Sequence, residues 1–338
     1  MTENGNGKKL WAIGGGKGGI GKSIFTLGLG ISLARLGKRV ILMDADLGGA
    51  NLHTLMGVRY PAHTLEDFLL KRVENLEDTV LDTQIAGIGL ICGADDILGA
   101  ANPTYSQKIR VLNQIASLPA DFVLLDLGAG TSFNTLDFFN YSAGKIAVFT
   151  SQAASLQNVY GFLKNSLFRR ISREFAKDEE VLWLLHQTGS KAPEVKIESL
   201  SELLNLLQRK KPDQYRELRQ LLRDYQVLVV VNMIKADRDF QAAQIIQNVS
   251  NRFLELSPQV LGYLHYDQAI EQAVNQMVPF PMNVQKSRAA VELREIAQTI
   301  IDRYAPPSDL EAPAYQQEEE KAAAGSSWSS FWRRAPAQ

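Results

Sequence analysis

A glycine-rich segment near the start of the chain has the residue types and spacing of a phosphate-binding loop. Residues 16–23 fit the pattern G-x-x-x-x-G-K-S, after an apolar run and before a segment with helical spacing. Glycines let backbone N–H groups point at phosphate oxygens, lysine neutralises phosphate charge, and serine binds Mg²⁺. The segment therefore predicts a phosphate site with Mg²⁺ at Ser23, formed by Gly16, Lys17, Gly18, Gly19, Ile20, Gly21, Lys22 and Ser23.

Three carboxylates follow apolar runs that are typical of buried strands. Asp44 and Asp46 come after residues 40–43, and Asp126 comes after residues 122–125. Parallel sheets carry their sites at the edge where the strands end, so we expect these side chains near the phosphate loop. A carboxylate beside the terminal phosphate can hold Mg²⁺ or orient an attacking water molecule.

Apolar runs alternate with segments of helical spacing along most of the chain. Strands are expected at residues 10–14, 40–43, 89–92, 122–125, 145–150, 227–231 and 259–264. Helices are expected at residues 23–36, 105–118, 241–256, 268–276 and 287–304. This alternation predicts an α/β fold, a doubly wound and mostly parallel sheet with helices on both faces.

Two regions depart from the alternation. More than seventy residues separate the strands that end near Thr150 and begin near Val227, and apolar positions there predict a helical hairpin with Pro212 starting its second arm. We interpret residues 170–225 as a helical insertion, a peripheral addition or a partner-docking element. Residues 1–304 would then form one domain, and residues 305–338 a flexible linker and tail.

Composition excludes several classes of protein. The chain has 338 residues, 36 Lys and Arg against 37 Asp and Glu, and a single cysteine, Cys92. One cysteine cannot form a disulfide framework or a thiolate metal cluster, and the charge balance argues against a dedicated nucleic-acid binder. Neither a signal peptide nor an 18-residue apolar run is present, so we expect a soluble, cytoplasmic protein.

Lys17 adds a second lysine to the loop, as KGGIGKS, and with it the chain resembles the MinD/ParA family of P-loop ATPases. Residues 44–52, DADLGGANL, and residues 126–130, DLGAG, are similar to the two switch segments of that family. The resemblance implies slow hydrolysis of ATP with Mg²⁺ in an ATP-dependent homodimer. Lys17 would reach the partner subunit's ATP, and Asp46 would position the attacking water. Asp44 would support Mg²⁺ and its loop, and Asp126 would hold Mg²⁺ through water.

The resemblance also implies a base-binding region. Asn232, in VVVNMIKADRD, matches the asparagine with which the family reads the adenine edge. Residues 261–267, LGYLHYD, are similar to the G-x-I-P-x-D segment that flanks the base, but His265 stands at the usual proline position. We therefore expect Asn232 to contact adenine in a pocket of altered shape.

Within the family, residues 8–170 and 226–304 resemble most closely the FlhG-like branch, which sets flagellar number and placement. This implies spatial regulation with a regulatory protein partner. A ParA-like DNA-partition ATPase and a regulator of another polar or surface machinery stay open as alternatives. Metallocluster carriers and redox ATPases of related type need more cysteines than this chain has.

The end of the tail has an aromatic and basic pattern. Trp328, Phe331 and Trp332 share one helical face, and Arg333 and Arg334 follow them. This resembles a short amphipathic membrane-targeting helix, which would place the protein peripherally at the inner face of the membrane. A disordered or protein-docking tail is the equally open alternative.

Overall fold

The computed structural model describes residues 9–46, 49–58, 61–93, 103–188, 197–276 and 287–304. Their strands are β1 (Leu10–Gly14), β2 (Val40–Ala45), β3 (Val80–Asp82), β4 (Ile88–Ile91), β5 (Phe122–Leu127), β6 (Gly144–Thr150), β7 (Leu228–Ile234) and β8 (Gln259–His265). Within these ranges they form one sheet of order β3-β4-β2-β5-β1-β6-β7-β8. Every neighbouring pair is parallel except β3 and β4. The expected mostly parallel sheet is confirmed.

Helices cover both faces of this sheet. They are α1 (Lys22–Arg35), α2 (Leu52–Leu55), α3 (Leu65–Leu69), α4 (Tyr105–Ser117), α5 (Phe133–Tyr141), α6 (Ala153–Glu174), α7 (Glu179–Gln187), α8 (Leu200–Lys210), α9 (Pro212–Asp224), α10 (Gln241–Leu254), α11 (Gln268–Asn275) and α12 (Arg288–Arg303). Helices α1 and α12 pack on one face, and α4, α5, α6 and α10 pack on the other. Successive residues of β1 alternate between the two cores, because side chains of a strand point to opposite faces.

The region between β6 and β7 is built on a long helix. Helix α6 runs from Ala153 to Glu174, so it continues past residue 170, where the insertion was expected to begin. Helices α8 and α9 pack against each other, and α9 starts at Pro212, so the predicted hairpin is confirmed. Residues 189–196 lie outside the described ranges. Whether the insertion binds a partner stays a prediction.

Buried hydrogen bonds join this insertion to helices α5 and α6. The Tyr225 hydroxyl, directly after α9, lies 2.6 Å from Ser166 Oγ of α6 and donates to Asn140 Oδ1 of α5 at 2.8 Å. Burial raises the pKa of Tyr225. A buried hydroxyl needs such partners, so these contacts join the insertion to both core helices.

The expectations for residues 305–338, including the membrane-targeting helix, fall outside the described residues, and the domain boundary at residue 304 stays a prediction. Among the helices within the described ranges, none combines the length and the apolar character needed to cross a bilayer.

Two glycines provide a matched test of the packing. A Cβ on Gly144 would lie 2.1 Å from the Trp11 ring, which also packs against Phe122 and Tyr304. A Cβ on Gly161, inside α6, would meet no atom within 4 Å. We expect Gly144→Ala to lower the free energy of unfolding by about 1–3 kcal/mol through overpacking. Gly161→Ala should raise it by about 0.5–1 kcal/mol through helix propensity. Urea denaturation measures both, and equal shifts of the same sign would contradict this account.

Candidate functional site

The glycine-rich loop joins β1 to α1 and is held close to the neighbouring elements. A Cβ on Gly16 would lie 2.1 Å from the backbone oxygen of Asn158 in α6, and one on Gly15 would lie 2.6 Å from the backbone oxygen of Val148. Gly19 and Gly21 have φ angles of 78° and 83°, which favour glycine. Gly18 and Gly19 are exposed, with open space where side chains would stand. The loop is therefore packed on one side and open on the other.

Lys22 places a buried cation inside this loop. Its side chain belongs to the first residue of α1 and donates from Nζ to the Lys17 backbone oxygen at 3.4 Å. Burial lowers the pKa of Lys22, although the charges of Asp126 and Asp46 oppose that shift. An ammonium group in such a place gains stabilisation from an arriving anion.

Asp44, at the end of β2, is fully buried and organises the loop that follows. Its Oδ2 accepts from the N–H groups of Asn51 at 2.8 Å and Leu52 at 3.0 Å. Its Oδ1 accepts from the N–H of Asp46 at 3.1 Å. Burial raises the pKa of Asp44 to about 6, in spite of these three bonds. The carboxylate therefore shapes the segment predicted to be the first switch.

Asp126 lies directly beside Asp44, because the two residues are register partners in neighbouring strands. Its carboxylate accepts from the Thr26 hydroxyl at 3.3 Å and from the Ser23 hydroxyl. Burial raises the pKa of Asp126 to about 7, and the charge of Asp44 adds to that shift. Two buried carboxylates beside a serine hydroxyl form a set of hard oxygen ligands, which suits Mg²⁺. Sequence reasoning missed Thr26, which carries no motif signal.

Asp46 and the second switch segment touch. A Cβ on Gly128 would lie 2.8 Å from Asp46 Oδ1, so a larger residue there would displace the Asp46 carboxylate. Asp46 also lies close enough to Lys22 for its charge to act on the lysine. Residues 47–48 lie outside the described ranges. The structure thus brings together the predicted residues Lys22, Ser23, Asp44, Asp46 and Asp126, while Lys17 is exposed at the loop.

Asn232, at the end of β7, holds the phosphate loop. Its Nδ2 donates to the Ile20 backbone oxygen at 2.8 Å, and its Oδ1 accepts from the Met233 N–H at 2.9 Å. The amide of Asn232 therefore links β7 to a loop that is 212 residues away in the sequence, a role that sequence reasoning missed. Contact between Asn232 and adenine stays a prediction.

A cavity of about 290 Å³ opens next to this contact. It is lined by Gly21, Ile24, Phe25, Asn232, Met233, Leu264, His265, Tyr266, Asp267, Ile270, Glu271, Val274 and Leu293. Mostly apolar walls with a few polar groups are typical of a small-molecule site. His265 Nδ1 lies 2.5 Å from Glu292 Oε1, and the backbone N–H of His265 donates to Glu292 Oε2 at 2.8 Å. The histidine at the usual proline position is therefore anchored to α12.

No group of three or more His, Cys, Asp or Glu side chains in the described part of the chain could hold a metal ion. A magnesium ion at Ser23 and Asp126 would therefore need phosphate oxygens as further ligands, which is usual for Mg²⁺ at nucleotide sites.

Curated proteins similar to this chain include two with flagellar or regulatory names. The antiactivator FleN of Pseudomonas aeruginosa is 30% identical over 155 residues, 45% of this chain and 54% of FleN. The flagellum site-determining protein YlxH of Helicobacter pylori is 31% identical over 166 residues, 48% of this chain and 55% of YlxH. The chain thus matches about half the length of these relatives.

Solved structures share the fold. The cell division ATPase MinD of Pyrococcus furiosus superposes with a TM-score of 0.56 at 20% identity, covering 87% of this chain and 99% of MinD. A ParA family ATPase of Chlorobium tepidum has a TM-score of 0.57 at 15% identity, covering 87% of this chain and 98% of the ATPase.

A family model covers most of the chain. The CobQ/CobB/MinD/ParA nucleotide binding domain matches residues 11–280, a span that contains the phosphate loop, the three carboxylates and Asn232. With its eight-stranded sheet and the loop between β1 and α1, the chain belongs to this family of nucleotide-binding domains.

Proposed function

We propose that this chain is a slow, regulatory ATP hydrolase of the MinD/ParA type, which acts as an ATP-dependent dimerisation switch in spatial regulation. One observation carries the proposal most directly. The carboxylate of Asp46 lies against Gly128 and its charge acts on Lys22, while its backbone N–H donates to the buried Asp44, the register partner of Asp126. A phosphate cradle, a cation and a carboxylate from each switch segment thus meet at one edge of the sheet.

The residues at this edge of the sheet have different roles in phosphoryl transfer. Lys22 neutralises the charge of the terminal phosphates, and the loop around it holds them in place. Ser23 and Asp126 are the residues that would hold Mg²⁺, and that ion would supply charge neutralisation at the transferred phosphoryl group. Asp44 keeps the first switch in position through its three backbone hydrogen bonds.

Asp46 is the residue proposed to orient the attacking water. It follows β2 directly and touches the second switch at Gly128, so it stands where both switch segments meet. A carboxylate in that place accepts a hydrogen bond from water and fixes its direction of attack. This role makes Asp46 important for turnover but not for phosphate binding.

The exposed position of Lys17 supports the proposed homodimer. Lys17 projects from the open side of the loop, while Lys22 is buried inside it. Lys22 therefore acts within its own subunit, whereas Lys17 is accessible to a second subunit. Its proposed role is to reach the ATP bound by the partner subunit.

The cavity beside Asn232 is proposed to receive adenine. It begins at Gly21, where the phosphate loop enters α1, so a base there would be continuous with bound phosphates. Phe25 and Leu264 offer it apolar contacts, and Asn232 and the chain around Asp267 offer polar groups.

The names of FleN and YlxH favour regulation of flagellum number or placement over DNA partition as the biological process. A regulatory protein partner belongs to this proposal, as one solved neighbour is a MinC:MinD complex of Aquifex aeolicus. Flagellar genes next to this one in its genome would agree with the proposal. A partition gene pair there would favour the ParA-like alternative.

Lys22→Ala tests the nucleotide site. We expect calorimetry to show at least a hundredfold loss of ATP affinity, because the phosphate charge loses its buried cation. Lys177→Ala, at an exposed position beyond α6, is the matched control and should bind ATP as the unaltered chain does. Unchanged affinity in Lys22→Ala would refute the proposed site.

Lys17→Ala and Asp46→Ala should separate dimer formation from hydrolysis. We expect Lys17→Ala to bind ATP but to lose ATP-stimulated dimerisation and turnover. Asp46→Ala should accumulate as an ATP-bound dimer, because it keeps the phosphate contacts and lacks the group that orients water. Light scattering with ATP and with ADP measures the molecular mass. A monomer in all these conditions would reject the dimerisation switch.

A further inference from the structure

A buried carboxylate joins three helices on the face of the sheet that carries α4, α5 and α6. Asp137 of α5 is fully buried. Lys108 of α4 donates to its Oδ2 at 2.5 Å, and Arg169 of α6 donates from Nε to its Oδ1 at 2.9 Å. Arg173, one helical turn further along α6, lies 3.0 Å from Oδ2. We call these four residues the Asp137 clamp.

The clamp holds more positive than negative charge. Burial by itself would raise the pKa of Asp137, but the hydrogen bond from Arg169 and the charges of Arg173 and Lys108 keep it below its usual value. Burial lowers the pKa of Lys108, and the two arginines add to that shift. A buried ion cluster of this kind adds little net stability compared with apolar packing, yet it fixes one arrangement of its members. The position of the clamp in the fold therefore shows which segment it can hold in place.

The clamp lies on the helix that directly follows the second switch. Helix α5 begins at Phe133, three residues after Gly130, and Ser132 caps it by accepting from the Thr135 N–H. Lys108 also donates to Asn134 Oδ1 at 3.1 Å, so α4 contacts the first turn of α5 as well. The C-terminal end of the second switch thus leads into a helix that the clamp bonds to α4 and α6.

The other end of the second switch, at Gly128, must be held close to Asp46. Gly128 lies against the carboxylate of Asp46, and a larger residue there would displace that carboxylate. Because α5 begins three residues after Gly130, a shift of that helix would change the distance between Gly128 and Asp46. Lys22 and Ser23 belong to α1, which carries no clamp residue, although Gly14 just before the phosphate loop packs against Phe139 of α5.

We propose that Asp137 is a positioning residue for hydrolysis, which holds the second switch against Asp46 through α5. This inference rests on the ATPase activity proposed above and extends it to a residue outside the nucleotide site. In this proposal Lys108, Arg169 and Arg173 act through Asp137.

Asp137→Asn in the full chain tests the proposal. We expect kcat to fall at least tenfold while the Kd for ATP changes much less, because the clamp acts on the second switch through α5, whereas Lys22 and Ser23 belong to α1. Asp178→Asn is the matched control. Asp178 accepts from Lys211 at 2.9 and 3.0 Å inside the helical insertion, and its loss should leave kcat unchanged. An unchanged kcat in folded Asp137→Asn, or an equal loss of kcat in both variants, would overturn the proposal.

A second readout does not depend on turnover. Amide hydrogen exchange in residues 128–133 should be at least tenfold faster in Asp137→Asn than in the unaltered chain without nucleotide. Unchanged exchange there overturns the positioning role even if the chain hydrolyses no ATP. A failure of this proposal can therefore be distinguished from a failure of the proposed ATPase activity. If Asp137→Asn does not fold, Arg169→Gln removes one of three cations and should give the same two effects in weaker form. A folded Arg169→Gln variant with neither effect also overturns the proposal.

Discussion

The site depends on the burial of two like charges at the edge of a parallel sheet. Strand register places Asp44 beside Asp126, and both carboxylates are shielded from water. Their pKa values are raised, to about 6 and about 7, mainly by burial. A raised carboxyl pKa means that the folded chain binds protons more tightly than the unfolded one. The contribution of these two raised pKa values to the free energy of unfolding is therefore fully present below the pKa of the unfolded state. It is lost as the pH rises through 6 to 7.

The surrounding elements supply groups that stabilise these two buried carboxylates. Three backbone N–H groups stabilise Asp44, and the Ser23 and Thr26 hydroxyls of α1 stabilise Asp126. Lys22 supplies the neighbouring positive charge, but burial lowers its own pKa. One ammonium group does not balance three nearby carboxylates. A divalent cation and the phosphates that accompany it would complete the balance, which explains how nucleotide could organise both switch segments.

Much of the fold could be predicted from local patterns in the sequence. Apolar runs located the seven strands that make up most of the sheet, and β1 has the bounds expected for it. The three-residue strand β3 was missed, because so short a segment carries no periodicity. The phosphate loop and its carboxylates were predictable, because one motif and the strand ends specify them. The bond from Asn232 to Ile20 and the Asp137 clamp were not predictable, since both join distant segments whose contact only the tertiary packing creates.

The central claim is that burial beside Asp44 makes the ionised form of Asp126 costly in the ligand-free protein, in a place suited to Mg²⁺. Thermal unfolding of Asp126→Asn at pH 8 tests it most directly, with and without Mg-ATP. The account predicts a higher unfolding temperature than that of the unaltered chain without ligand, because the amide removes the like-charge repulsion. The advantage should shrink at pH 5, where Asp126 is protonated. The gain from Mg-ATP should be much smaller in the variant. A lower unfolding temperature without ligand, together with a full gain from Mg-ATP, would contradict the account.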